Sequence, residues 1–313
     1  MRTSPPGRLV SVGTHRLHFC CEGDGRPSVV FDAALGGSSL SWSLVFPAIA
    51  GLTRACVYDR AGFGWSEAGP LPRTAGRIAD ELHALLQMAG VSSPYVFVGH
   101  SFGGLVARVF AARHRDLVAG LVLLEPAYPA DWIDPSEHSR ALIERGITLC
   151  RYGNTAARLG VARAVSVLVR IGALGPARAV ARIVSRGALR SQDEGVLAPV
   201  WKLPREARRV LGEMWSEPRF FEALGSQIET ICESAAEAAA LSDDENRDLP
   251  MIVMTADSAT EHRMRSDAAF ARLYPHGRQI VVPDSGHWIP LDAPQAVIEA
   301  IDEILRDVRR GWL

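Results

Sequence analysis

Lysine is almost missing from this chain: of 34 basic residues only Lys202 is a lysine, and the rest are arginine. Schiff-base, pyridoxal and P-loop chemistries each need a well-placed lysine, and Lys202 stands in no context that would serve. Those classes are excluded. Cysteine is scarce as well. Cys20, Cys21, Cys56, Cys150 and Cys232 are odd in number and form no C-x-x-C pair or zinc spacing. The expectation is packed thiols rather than a disulfide framework, with adjacent Cys20 and Cys21 pointing to opposite faces of a strand. No metal and no cofactor is implied. No apolar run approaches 18 residues, so no transmembrane segment is expected, and a net charge of -1 leaves no electrostatic footprint for nucleic acid. The first seven residues lack the apolar stretch of a secretory signal, which makes a cytoplasmic enzyme the default expectation.

What is present suits a globular protein. The 313 residues are 48% hydrophobic, enough to bury one large domain or a core carrying an inserted lid. Short apolar runs at His15 to Cys21, Val29 to Asp32, Ala55 to Tyr58, Tyr95 to Val98, Gly120 to Leu124, Met251 to Thr255 and Gln279 to Val282 read as strands of a buried, mostly parallel sheet. Between them lie amphipathic stretches: Arg77 to Ala89, with Ile78, Leu82, Leu85 and Leu86 on one face, and Ala293 to Val308 with a similar stripe. This alternation predicts an α/β fold with a doubly wound sheet.

Strand signals stop between residues 127 and 248, where helical periodicity takes over. The predicted organisation is therefore a core of residues 1–126 and 249–313 with an inserted helical cap at 127–248. Within the cap, Arg140 to Arg190 carries ten arginines against one acid, Glu144, and Glu222 to Asp248 carries eight acids against Arg247. The two parts are expected to pair with each other or face water. The stripe Arg178, Arg182, Arg186 and Arg190 is the only feature that would support peripheral membrane contact. There are no internal repeats, and nothing fixes an oligomeric state.

The chemistry centres on Gly99-x-Ser101-x-Gly103. An apolar strand precedes it, and Leu105, Val106, Val109 and Phe110 follow at helical spacing, as a strand-to-helix elbow requires. The flanking positions must be glycine because strand and helix pass too closely for a side chain. Ser101 would stand exposed at the bend. A serine needs a base within hydrogen-bond reach and a third group to orient that base. His287 follows the last strand in Pro283-Asp284-Ser285-Gly286-His287-Trp288, at the carboxyl edge of the sheet where the elbow also lies.

Together, Gly99-His100-Ser101-Phe102-Gly103-Gly104, Tyr58-Asp59-Arg60-Ala61-Gly62-Phe63-Gly64-Trp65-Ser66 and Ser285-Gly286-His287-Trp288 resemble the α/β-hydrolase fold superfamily, serine hydrolases with a helical cap. The resemblance implies that Ser101 is the nucleophile and His287 the general base. It also implies an oxyanion hole formed by the backbone N–H groups of Phe102 and Leu35, although Ala33-Ala34 replaces the His-Gly pair of many relatives. Asp59 and Arg60 would brace the site, and Trp65 and Trp288 would flank the pocket mouth as packing or substrate-contacting residues.

Two acids compete to orient His287. Most relatives place the acid after the penultimate strand in a G-x-x-D pattern, and here Asp257 comes two residues early. The other position used in the superfamily, the end of the strand after the elbow helix, holds Glu125. Pro126 predicts an extended Glu125, and Glu125 is preferred.

The implied activity is hydrolysis of an ester, thioester, lactone or related acyl bond of a small-molecule substrate. Carbon-carbon bond hydrolysis and perhydrolysis could use the same triad. A ligand-sensing protein that keeps the fold but hardly turns over is the alternative from another class. Serine at the elbow disfavours the superfamily's dehalogenases and epoxide hydrolases, which use aspartate there.

Overall fold

The computed structural model describes residues 5–170, 201–241 and 248–311. Eight strands form one sheet: β1 (Arg8–Ser11), β2 (Arg16–Glu22), β3 (Ser28–Asp32), β4 (Ala55–Tyr58), β5 (Tyr95–His100), β6 (Val118–Leu124), β7 (Met251–Ala256) and β8 (Gly277–Val282). Their order is β1-β2-β4-β3-β5-β6-β7-β8. Strands β3 to β8 pair in parallel, while β1 and β2 form an antiparallel edge. The seven predicted strands are all present. The eighth, β1, escaped sequence reading because it has four residues and buries only Val10.

Period-2 alternation divides the sheet's apolar side chains between two layers. Phe97, Leu121 and Val253 face helices α2 (Ala75–Ala89) and α3 (Phe102–Arg113). On the other face, Val96, Val98, Val122 and Ile252 meet α1 (Phe46–Ala50) and the C-terminal helix (Pro294–Arg310). In that helix, Val297, Ile301, Ile304, Leu305 and Val308 are all buried, each contributing about 1.5–3 kcal/mol relative to exposure.

Between β6 and β7 the described residues form helices only: α4 (Pro129–Ile133), α5 (Glu137–Arg158), α6 (Val161–Arg170), α7 (Arg205–Met214), α8 (Pro218–Glu229) and α9 (Ile231–Ala239). Basic α5 lies along acidic α8, with Arg158 Nη2 at 2.5 Å from Glu222 and Arg151 Nη2 at 3.7 Å from Glu229. The stripe from Arg178 to Arg190 lies outside the described residues. Helices α8 and α9 are fastened to the core through backbone amides. Ser226 Oγ accepts from Arg73 N (3.0 Å), Ser234 Oγ from Ala75 N (2.9 Å) and Glu237 from Gly76 N (2.7 Å). The Ala75 and Gly76 acceptors satisfy orphan donors in the first turn of α2, Ser226 holds the amide of Arg73 just before it, and the carboxylate suits the positive end of the helix dipole.

The sheet corrects the cysteine expectation. Cys21 and Cys56 are directly opposed in the β2–β4 register and form a disulfide, while Cys20, Cys150 and Cys232 are free. The opposition depends on strand register across 35 residues of chain, which no local spacing reveals. Among the described residues, no helix is long and apolar enough to cross a membrane.

Candidate active site

Three strand ends converge at the carboxyl edge of the sheet. At the end of β5, Ser101 adopts φ 53° and ψ -115°, a strained conformation for a residue with a side chain. The elbow is close-packed as expected: a Cβ at Gly99 would stand 2.6 Å from Gly103 O, and one at Gly103 would stand 2.4 Å from Asp32 O. Backbone bonds from Ser101 N to Leu124 O (2.9 Å) and from Ala127 N to Ser101 O (3.0 Å) tie the bend to the end of β6.

Glu125 follows directly on β6. Its φ is 44°, so the extended conformation expected before Pro126 does not occur. Tertiary bonds override the pre-proline bias: Glu125 N donates to Met254 O (2.9 Å), and Glu125 Oε1 accepts from Ala256 N (2.8 Å). Arg263 fastens the turn by donating to the Pro126 carbonyl while pairing with Asp267 at 2.8 Å. Oε2 of Glu125 then lies 3.5 Å from His287 Nδ1. Burial alone would raise the Glu125 pKa. The His287 contact, the Ala256 amide and the Arg263 charge outweigh it and hold the carboxyl below its usual range.

Asp257 does something else. Its carboxylate accepts from the amides of Asp284 (2.8 Å) and Ser285 (3.1 Å), bracing the loop that carries His287. Ser258 Oγ donates to Ser285 O (2.7 Å), and Asp292 accepts from Gly286 N (2.9 Å). The other oxygen of Asp292 is 2.5 Å from Nζ of Lys202, the chain's sole lysine. The structure thus brings Glu125 to His287 and commits Asp257 to backbone.

The loop after β3 carries Leu35, partly buried, and Phe102 opens α3. Arg60 joins these two segments. Its buried guanidinium pairs with Asp32 at 2.7 Å, donates to the carbonyls of Ala33 and Ala34, and lies 5.0 Å from the Phe102 ring centroid. Asp59 accepts from Ser39 N (2.7 Å) and Trp65 N (3.0 Å) and pairs with buried His18 at 2.8 Å. Burial alone would raise the Asp59 pKa and lower that of His18. Their mutual attraction, helped at Asp59 by the Ser39 and Trp65 amides, reverses both directions. His18 carries no local motif, so sequence reading missed it. Trp65 and Trp288 lie at the seam with the inserted helices, packed around Leu203, Leu211 and Met214. Leu224 of α8 reaches the loop after β3, where a Cβ added at Gly36 would meet it at 3.2 Å.

His100, the variable residue of the elbow motif, is fully buried and bonds through Nε2 to the backbone carbonyl of His287 at 2.7 Å. Burial first, and His287 second, push its pKa down to about 3. The unfolded chain protonates this histidine near 6.5 and the folded chain only near 3, so the unfolded state gains the proton first. Stability should therefore fall as pH drops through this window, by about 1.4 kcal/mol per unit once well below 6.5. Urea midpoints between pH 7 and 4.5 check this: His100→Gln should flatten the decline by about one proton, and an unchanged slope would refute the assignment.

The chain matches the alpha/beta hydrolase fold family model over residues 27–167. It is 26% identical over 309 residues, 96% of either chain, to a haloalkane dehalogenase from Sphingobium indicum. It is also 36% identical over 106 residues to the uncharacterized protein YqjL of Bacillus subtilis, covering 34% of this chain and 42% of that one. Across that protein and two other curated relatives, the matched stretch spans only 14–42% of the relative's length. Among solved structures, a thermophilic esterase from Thermogutta terrifontis superposes with a TM-score of 0.63 at 21% identity, covering 97% of this chain and 99% of that one. Strand order, elbow and these similarities converge on one conclusion: the chain has the α/β-hydrolase fold.

Proposed function

We propose that this protein is a serine hydrolase that cleaves an ester, thioester or lactone through an acyl-enzyme. The observation that carries the reading is the Glu125–His287 contact beside a strained Ser101 on one sheet edge. In this reading Ser101 Oγ attacks the substrate carbonyl carbon as His287 Nε2 takes the hydroxyl proton. The charged Glu125 carboxylate holds the proton on Nδ1 and stabilises the imidazolium. The N–H groups of Leu35 and Phe102 receive the tetrahedral oxyanion. Collapse breaks the bond to the leaving group, which takes the proton from His287. Water then loses a proton to His287, attacks the acyl carbon and releases the acid and free Ser101.

The dehalogenase relative does not argue otherwise, since the superfamily's dehalogenases use an aspartate where this chain has Ser101. Residues 127–248 act as the cap in this reading. Trp65, Trp288, Leu211, Met214 and Leu224 provide the apolar surround, which favours a hydrophobic acyl group.

The test combines a p-nitrophenyl ester series with fluorophosphonate labelling and peptide mapping. Turnover of short- to medium-chain esters and label on the peptide containing Ser101 are expected. No turnover and no label in folded protein would reject the reading.

A further inference from the structure

The geometry points to His100 as the positioning residue for His287, acting through its Nε2–H bond to the His287 backbone carbonyl. The proposal rests on the serine-hydrolase reading for its kinetic consequence, but the bond itself is independent of that reading.

A carbonyl oxygen can only accept, so the 2.7 Å contact places the imidazole proton on Nε2 and leaves Nδ1 bare. Among the described residues, no protein group hydrogen-bonds Nδ1, which is buried. The tautomer is therefore set by one partner, the His287 carbonyl. His100 is buried and packed on both sides. It is the last residue of β5, its ring centroid is 5.0 Å from that of His287, and the Trp288 ring meets it edge-on at 5.2 Å. Its main chain leads directly into Ser101. One side chain thus links the residue before the nucleophile to the main chain of the base, across 187 residues of sequence.

The other bonds to the His287 loop act further back. Asp257 holds residues 284 and 285, Ser258 holds 285 and Asp292 holds 286. Those contacts fix where the loop starts; His100 fixes where His287 ends. Without the His100 donor, the His287 carbonyl would be free to turn, carrying the ring away from Ser101. A displacement of about 1 Å at a reacting group can cost on the order of 10²-fold in rate.

Two variants separate donor from shape. His100→Gln puts an amide N–H where the imidazole Nε2–H was, and His100→Phe keeps a ring of similar shape with no donor. The Phe variant should lose about 30- to 100-fold in kcat with KM within about 3-fold, whereas Gln should recover to within about 5-fold of wild type. Wild-type rates in His100→Phe, or an equal loss in folded His100→Gln, would overturn the proposal. A third measurement needs neither variant nor turnover. In ¹⁵N-histidine-labelled wild type, His100 should show a slowly exchanging proton on Nε2, a bare Nδ1 and no titration from pH 8 to 5. A proton on Nδ1, or titration in that range, would also overturn the proposal. If the wild type hydrolyses nothing, the hydrolase reading fails alone, and the nitrogen spectrum still decides the bond.

Discussion

Replacing Ser101 with alanine should lower kcat by about 10⁴- to 10⁶-fold, abolish fluorophosphonate labelling and leave KM within a few-fold. The size follows from the chemistry. Alanine has no atom to form the acyl-enzyme, so residual hydrolysis would depend on water oriented by the Leu35 and Phe102 amides. The fold should tolerate the change, because the bend is held by backbone bonds to Leu124 and Ala127 and by the glycines on either side. Steady-state kinetics and intact-mass spectrometry of both proteins check this. An alanine variant within 10-fold of wild type would mean that another group attacks, and the mechanism proposed above would fall.

The second large effect separates the two acids. Glu125→Gln should cost about 10³- to 10⁴-fold in kcat, while Asp257→Asn should cost less than about 10-fold. In Glu125→Gln, an amide N–H facing His287 Nδ1 would favour the tautomer with its proton on Nε2. That tautomer cannot accept the Ser101 proton. Asp257 bonds two main-chain amides instead, so its amide variant should lose stability, on the order of 1–2 kcal/mol, rather than chemistry. Pre-steady-state acylation rates and urea midpoints for the two variants give the comparison. A larger rate loss in Asp257→Asn would reverse the assignment.

Much of this site was legible from local pattern. An elbow is a five-residue signal with steric reasons for its glycines, and a histidine just after the last strand is placed by topology. Glu125 could be named because the family resemblance implies an acid at the end of the strand after the elbow helix. What stayed hidden depends on contacts between distant segments. The Glu125 backbone conformation is set by β7 rather than by Pro126. The Cys21–Cys56 bond requires the β2–β4 register. His18 acts through Asp59, distant in sequence, and Arg60, expected as a brace, does so through Asp32, a partner that no local pattern names. Strand β1 had too little buried surface to leave a periodic trace.

The attachment of α8 and α9 to the start of α2 bears on how this protein could be re-engineered. Substrate range in such folds would naturally be altered by exchanging the whole helical segment between β6 and β7 for that of another protein. Here that graft would remove Ser226, Ser234 and Glu237 together, leaving the amides of Arg73, Ala75 and Gly76 without acceptors in a region where Arg73 and Ala75 are fully buried. Each orphaned buried donor costs about 1–3 kcal/mol, a large share of the 5–15 kcal/mol that keeps a typical domain folded. The exchangeable unit should therefore end between Met214 and Pro218, with α8 and α9 retained as part of the chassis.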